Sequence, residues 1–182
     1  DADFYSTPGH KWLLGPDGTG ALYIRKQMIP EVRPIQIGSR FAKSFDQFGK
    51  FEANHEEIDK FRLSTTSAAI RAGYLEALRI ALNVGAASSE ERSLTLATHL
   101  KKELAHISGV KVTSPLEGPG CSGLVTFTVT GKTPEDVVST LWSKQKVFVR
   151  AIGYPPGIRV SLAFFNTEAE IEKLVTSVKS LV

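Results

Sequence analysis

Apolar and polar positions along the chain change period several times, and each change predicts an element. Gly20-Ala-Leu-Tyr-Ile-Arg25 follows a Gly/Pro-rich turn and predicts a buried strand. Residues 30–62 hold no period. Pro30, Pro34, Gly38 and Gly49 interrupt them, and they read as an irregular loop longer than a compact domain keeps without a function. From Ala68 to Leu82 the pattern turns helical. Ile70, Tyr74, Leu78 and Leu82 recur every four residues and alanine fills much of the rest. Such a helix, apolar nearly all round, belongs inside a larger body. A second helix is predicted from Ser88-Ser-Glu-Glu91, a capping-box pattern, with Leu94, Ala97, Leu100, Leu104 and Ile107 on its apolar face and Gly109 ending it.

Beyond Gly109 strands and helices alternate. Val110–Thr113 and Leu124–Val129 predict strands, the second with clean alternation. Thr133-Pro-Glu-Asp136 places an N-cap before a proline at the first helical position, opening a helix to about Gln145. Val147–Arg150 and Arg159–Phe164 predict two more strands. Thr167-Glu-Ala-Glu170 is another capping box, and the last helix runs to the end. The tail therefore reads β-β-α-β-β-α, a sheet covered by helices. The change of character puts a domain boundary near 86, giving 1–86 and 87–182.

Composition narrows the classes. The chain has 182 residues, 42% hydrophobic and 23% charged, which excludes collagen, coiled coil and disorder. No run approaches the ~18 apolar residues of a membrane span. No signal-peptide pattern opens the chain, so a cytoplasmic protein is expected, with an upstream targeting segment left open. The net charge is +3, and the positive residues are scattered rather than gathered in a basic stripe with aromatics, so no nucleic-acid surface is expected. The single cysteine, Cys121, excludes an internal disulfide and an all-cysteine metal site. It reads as a small, partly buried residue at a strand entry. The four histidines show no metal-ligand spacing, and no metal is expected. The chain opens on Asp1 and its one methionine is Met28. It is therefore expected to be part of a longer protein.

Three segments could carry chemistry. Gly9-His10-Lys11-Trp12 leads through Gly15-Pro16-Asp17-Gly18-Thr19-Gly20 into the first predicted strand. A lysine in such a tight loop beside an aromatic can be desolvated, with its pKa lowered as Schiff-base formation requires. Gly9 admits close backbone approach, and His10 could donate to an anion. Lysines are common and turns need glycine, so from these residues alone a solvated lysine on a surface hairpin is the simpler reading. Second, Ser64-Thr65-Thr66-Ser67 puts four hydroxyls before the apolar helix. Capping needs one of them, whereas an anion seat would use several. Third, Arg159-Val-Ser161-Leu-Ala-Phe-Phe-Asn166-Thr167 follows the rigid Gly153-Tyr-Pro-Pro-Gly157. An arginine so placed offers a fixed fork to a carboxylate, although alone it reads as a surface residue paired with an acid. Arg150 faces the same loop, with structural and substrate roles both open. Asn166-Thr167 reads as a helix cap.

Taken in order, Asp3-Phe-Tyr, Gly9-His10-Lys11-Trp12, Gly15-Pro-x-Gly-x-Gly20-x-Leu-Tyr, the hydroxyl run and Arg159-x-Ser161-x-x-x-x-Asn166-Thr167 resemble the class V aminotransferases. These fold-type-I pyridoxal-phosphate enzymes include cysteine desulfurases, C–S lyases of cysteine and cystine, and isopenicillin N epimerase-like proteins. The resemblance spans nearly the whole chain and is sharp at the three segments. It implies an α/β fold in which 1–86 finish the large cofactor-binding domain and 87–182 form the small α+β domain. It also implies that Lys11 holds pyridoxal 5'-phosphate as a Schiff base and later removes the α-proton, and that His10 lies near the phosphate. Thr65 would reach the phosphate held by the neighbouring subunit, in a homodimer with composite active sites. Arg159 would bind the α-carboxylate of an amino-acid substrate.

The departures shape the expected activity. Pro8 stands where many relatives place a hydroxyl on the phosphate, so that either Ser6 or Thr7 substitutes or the contact is missing. Arg62 and Ser64 replace an acidic residue and a glycine. Residues 151–158 hold no cysteine, and Cys121 lies elsewhere, so a sulfur relay through a protein thiol is disfavoured. A C–S lyase working by β-elimination on a cysteine-type substrate is expected. The alternatives are an aminotransferase, an epimerase-like enzyme, phosphate-ligand binding without chemistry, or a non-catalytic module that binds a partner through Ala68–Leu82. In such enzymes the acid on the pyridine nitrogen and the ring-stacking residue precede the lysine. Only ten residues do so here, and this chain alone is not expected to turn over substrate.

Overall fold

The computed structural model describes all 182 residues, which divide into two compact units, Asp1–Asn83 and Val84–Val182. In the first, β1 (Phe4–Pro8) and β2 (Gly20–Ile24) form an antiparallel hairpin, paired from Phe4 opposite Ile24 to Pro8 opposite Gly20. The sequence pattern did not mark β1. Five residues with two aromatics are too short to show a period, and they become a strand because β2 needs a partner. Nor is β2 the buried strand expected. Leu22 and Tyr23 are exposed and Ile24 alone is buried, since a two-stranded sheet covers neither face by itself.

Residues 30–62 are not an irregular loop. They contain a second hairpin, β3 (Ala42–Phe45) and β4 (Phe51–Ala53), and two short 3₁₀ turns, with a third just before them at Lys26–Met28. Asp46 makes the hairpin turn. Its Oδ1 accepts the backbone N–H groups of Phe48 (2.9 Å) and Lys50 (3.0 Å), and Gly49 takes the left-handed conformation at φ +81°. What gathers this stretch is Lys60, 1% exposed, whose ammonium donates to the carbonyls of Ile29 and His55, the latter at 2.8 Å. Burial pushes its pKa below the ordinary value. Asn54, also buried, closes the preceding turn by accepting from the Glu57 N–H at 3.0 Å. Gly38 lies against the chain just before the hydroxyl run. A methyl group there would fall 2.2 Å from the Leu63 carbonyl oxygen.

Helix α1 (Ala68–Val84) follows. Ser67 alone caps it, its Oγ accepting the Ile70 N–H at 3.4 Å. Only Ala77 is buried, and Ile70, Leu75, Ile80 and Leu82 are exposed.

In the second unit α2 (Ala86–Ala105) begins earlier than its sequence suggests. Gly85, at φ +84°, turns the chain in one residue, and Ser88–Glu91 fall inside the helix instead of capping it. The predicted apolar face is largely kept, with Ile107 buried at its end. Leu96, Ala97, Leu100 and Leu104 are buried while Leu94 is only partly so. Lys101 is buried beside that face, and its ammonium donates to the carbonyls of Pro115 (2.7 Å) and Leu116 (3.3 Å) and to Cys121 Sγ (3.4 Å), tying down the loop before the central strand.

The sheet is antiparallel, in the order β5 (Val110–Val112), β6 (Leu124–Val129), β8 (Pro156–Ser161), β7 (Arg150–Gly153). Val125, Phe127, Val129, Ile158 and Val160 point into one core with α2, α3 (Pro134–Gln145) and α4 (Glu168–Lys179). The strands β7 and β8 are shifted towards each other relative to the sequence pattern. A two-residue turn, Tyr154–Pro155, lets pairing start at Gly153 opposite Pro156, so residues 151–158 are largely ladder and Val147–Val149 lie outside it. Thr133 caps α3, and Thr167 with Glu170 forms the capping box of α4, both as the pattern predicts. Arg92 on α2 closes the fold onto α4. Its guanidinium holds both Glu168 carboxylate oxygens, at 2.5 and 3.0 Å, and the Asn166 carbonyl at 3.0 Å.

The Arg92 hydrogen bond and a backbone N–H hold the Glu168 carboxyl at about 2, below the ordinary 4.5. With the folded pKa lowered, the stabilisation is complete above pH 4.5 and is lost as the pH falls towards 2. Glu168→Gln is therefore expected to flatten the acid limb of thermal stability in that window, and an unchanged limb would contradict the pairing. Lys60→Met leaves two carbonyls without a donor and is expected to cost about 2 kcal/mol in a denaturant titration.

Candidate active site

The predicted site residues fall on three built features. The first is the lysine turn. Gly9 closes it twice: its N–H donates to the Thr19 carbonyl at 2.8 Å and its carbonyl accepts from the Gly15 N–H at 2.8 Å. Between these closures the Leu14 N–H bonds the Lys11 carbonyl at 3.0 Å, and His10 and Lys11 are exposed at the apex. Thr19 Oγ1 donates to the Pro16 carbonyl at 2.6 Å and stiffens the return arm. A methyl group at Gly9 would fall 2.4 Å from Thr19 Oγ1 and 2.6 Å from Tyr74 Cε2. One at Gly15 would fall 2.7 Å from Tyr74 Cδ2. The loop thus holds the Lys11 amine at the tip of a turn with a rigid base, but exposed rather than desolvated as the sequence suggested it could be.

The second is the hydroxyl run. Ser67 is used as the cap of α1, while Ser64, Thr65 and Thr66 stay exposed ahead of the helix N-terminus. Those hydroxyls and the helix end suit an anion such as a phosphate.

The third lies on the open face of the small sheet. Arg159 on β8 has Thr126 of β6 opposite on one side and Arg150 of β7 opposite on the other. Thr126 is fixed by the Thr113 hydroxyl, which donates to it at 2.9 Å. Arg159 Nε is buried and has no hydrogen-bond partner. Like charges directly opposite in a sheet repel, and an unpaired buried donor is costly. Both costs vanish if a carboxylate takes the fork. Arg150 was open between structure and substrate on sequence alone; the register makes it the neighbour of Arg159. The Tyr154-Pro155 turn was the missed signal, since a two-residue hairpin there sets 150 against 159. Asn166 stands just before the Thr167 cap and closes the turn that precedes α4, its Oδ1 accepting the Ala163 N–H at 2.9 Å. Cys121 is held in the loop before β6 by Lys101 and donates to the Pro115 carbonyl at 3.4 Å.

Tyr74 was missed as part of the lysine turn. Its place in the helical repeat reads as core, and only the paired glycines hint at the ring that meets them.

A family model described as aminotransferase class-V matches residues 1–174. The chain belongs to the class V aminotransferase family. Among curated relatives it is 27% identical to a probable cysteine desulfurase of Staphylococcus epidermidis, covering 98% of this chain and 45% of that protein. It is 32% identical to one of Xylella fastidiosa, covering 96% and 43%. The chain thus spans less than half the length of these relatives. Among solved structures it resembles the cystine C–S lyase C-DES in complex with its reaction product cysteine persulfide, at TM-score 0.84 and 27% identity, over 98% of this chain and 46% of that one. An apo cysteine desulfurase from Thermococcus onnurineus shares the fold at TM-score 0.89 and 24% identity, over 100% and 47%. The fold is that of the C-terminal part of a fold-type-I enzyme of this family. No helix is long and apolar enough to cross a membrane.

The paired arginines make a direct expectation. Arg150→Gln removes the like-charge neighbour and should raise stability at low salt by about 0.5 kcal/mol when no anion is present. Added salt should narrow the gap. A destabilised Arg150→Gln protein would show that the two guanidiniums do not repel.

Proposed function

We propose that this chain is the C-terminal part of a pyridoxal-phosphate enzyme that breaks the C–S bond of a cysteine-type amino acid by β-elimination. Residues 1–86 would finish its large domain and 87–182 would be its small domain. The observation that carries the reading is the lysine turn: a primary amine at the tip of a doubly closed loop, in a chain matched by the family from 1 to 174. C-DES, a cystine C–S lyase, is similar over 98% of the chain.

The residues present fit the cofactor. Lys11 would hold its aldehyde carbon, His10 would lie near the phosphate, and Thr65 would donate its hydroxyl to a phosphate oxygen, from the neighbouring subunit of a homodimer. The orphaned Arg159 Nε and its fork fit a substrate carboxylate. Pyridoxal phosphate, when bound, supplies the electron sink that loss of an α-proton needs. Lys11 Nζ, once free, is the base that takes that proton. Arg159 would hold the carboxylate and so limit the orientations open to the substrate's Cα–H bond. The Cβ–S bond then breaks with its electron pair leaving on sulfur.

Two features support a lyase over a sulfur relay. The tight 153–156 turn carries no cysteine, and Cys121 is engaged by Lys101 and Pro115. Sulfur would leave without a protein thiol.

Pyridoxal phosphate and borohydride added to the full-length enzyme should label Lys11, as peptide mapping would show, and Lys11→Ala should abolish the label. An unlabelled parent contradicts the cofactor reading. Pyruvate and sulfide should appear from cysteine, and pyruvate from cystine. Amino transfer to a keto acid with no elimination product would make the enzyme an aminotransferase instead.

A further inference from the structure

We propose that Tyr74 is a positioning residue for Lys11, its ring edge setting where the lysine turn stands on α1; this rests on the reading of Lys11 above. The two glycines at the base of the turn are the starting point. Neither Gly9 nor Gly15 has a positive φ, whereas Gly18 in the same segment does, at +77°. Backbone conformation therefore does not call for glycine at 9 or 15. Close approach does. The ring of Tyr74 reaches both, through Cε2 at Gly9 and Cδ2 at Gly15, at distances no side chain would allow.

Those two glycines are also joined to each other by the Gly15 N–H and the Gly9 carbonyl. One ring thus spans the base of a closed loop and leaves only its apex, with His10 and Lys11, free. Gly73 adds a second contact beside the first. A methyl group on it would fall 2.9 Å from Pro16 Cγ. The helix meets the turn glycine against proline and ring against glycine, which leaves little slack.

Helix α1 carries a further constraint. Its cap, Ser67, is the last residue of the hydroxyl run, and Tyr74 stands seven residues on, about 10 Å along the axis. The same helix that ends the hydroxyl run therefore seats the lysine turn. Without the ring the turn keeps its internal hydrogen bonds and loses its seat. The amine would then spend less time where an aldehyde can reach it, with any phosphate contact left intact.

The test uses the full-length enzyme and follows borohydride-trapped attachment at Lys11, with pyridoxal phosphate and separately with phosphate-free pyridoxal. Measurements are made below the thermal transition of each variant. Tyr74→Phe keeps the carbon edge of the ring and should attach within about twofold of the parent. Tyr74→Ala should slow attachment about tenfold or more with both aldehydes, a readout that loss of packing far from the turn would not move. Gly9→Ala strains the same contact from the other side and should also slow attachment with Tyr74 in place, which keeps the test alive if Tyr74→Ala fails to fold. Attachment by Tyr74→Ala at the parental rate overturns the proposal, as does Tyr74→Phe as slow as Tyr74→Ala. A parent that is never labelled at Lys11 overturns the cofactor reading beneath it, and this proposal with it.

Discussion

The approach of an aromatic ring to two bare backbone positions organises the first unit. Gly9 and Gly15 are hydrogen-bonded to each other across a six-residue span, and the Tyr74 ring lies where their side chains would be. A tight turn in water is only as fixed as its base, because its tip makes no contacts of its own. Here the base is fixed by hydrogen bonds within the loop and by packing against a helix. The lysine gains a defined position without being buried. A fully buried ammonium, such as Lys60, is consumed by its carbonyl partners and could not be offered to a ligand. Of the two lysines, Lys60 is buried and partnered while Lys11 is exposed.

The second unit follows a different rule. One face of its four-stranded sheet is spent on the core, where Val125, Phe127 and Ile158 meet three helices. The other face keeps polar groups, and among them two arginines stand directly opposite each other with one Nε buried and unpaired. Folding does not favour that arrangement, so its cost has to be met elsewhere. The Arg92–Glu168 fork, the capping box of α4 and the buried Lys101 are the local reserves that hold the strands in place while the arginine face stays unsatisfied. A site whose groups are uncomfortable without a ligand is one that a ligand of the right charge relaxes.

Much of this was legible in the residues. The alternation of Leu124–Val129, the Thr133-Pro cap, the Thr167–Glu170 box and the motif around Lys11 each carry a local cause that acts wherever the segment is placed. What escaped the sequence was non-local. β1 exists only because β2 is beside it. The hairpin in 42–53 has strands too short for a period to show. Lys101 is buried on α2 because its partners lie in a loop more than a dozen residues further along the chain. The register that sets Arg150 against Arg159 depends on reading Tyr154-Pro155 as a two-residue turn. Tyr74 is the sharpest case. Spacing alone makes it one more member of an apolar helix face, and the paired glycines reveal it only once the turn and the helix are seen together.

On the proposed function, Arg159 reads the carboxylate of an amino-acid substrate. Discrimination between cysteine and cysteamine, which lacks only the carboxylate, tests it directly in the full-length enzyme. A charge-assisted fork is worth roughly 2–5 kcal/mol when one partner is removed, and 1.4 kcal/mol is tenfold. The parent should therefore prefer cysteine in kcat/KM by about a hundredfold. Arg159→Gln should bring the two substrates to within a few fold of each other while Lys11 still takes up the cofactor. If Arg159→Gln keeps the full preference for cysteine, the arginine does not read the carboxylate and the account of the site is wrong.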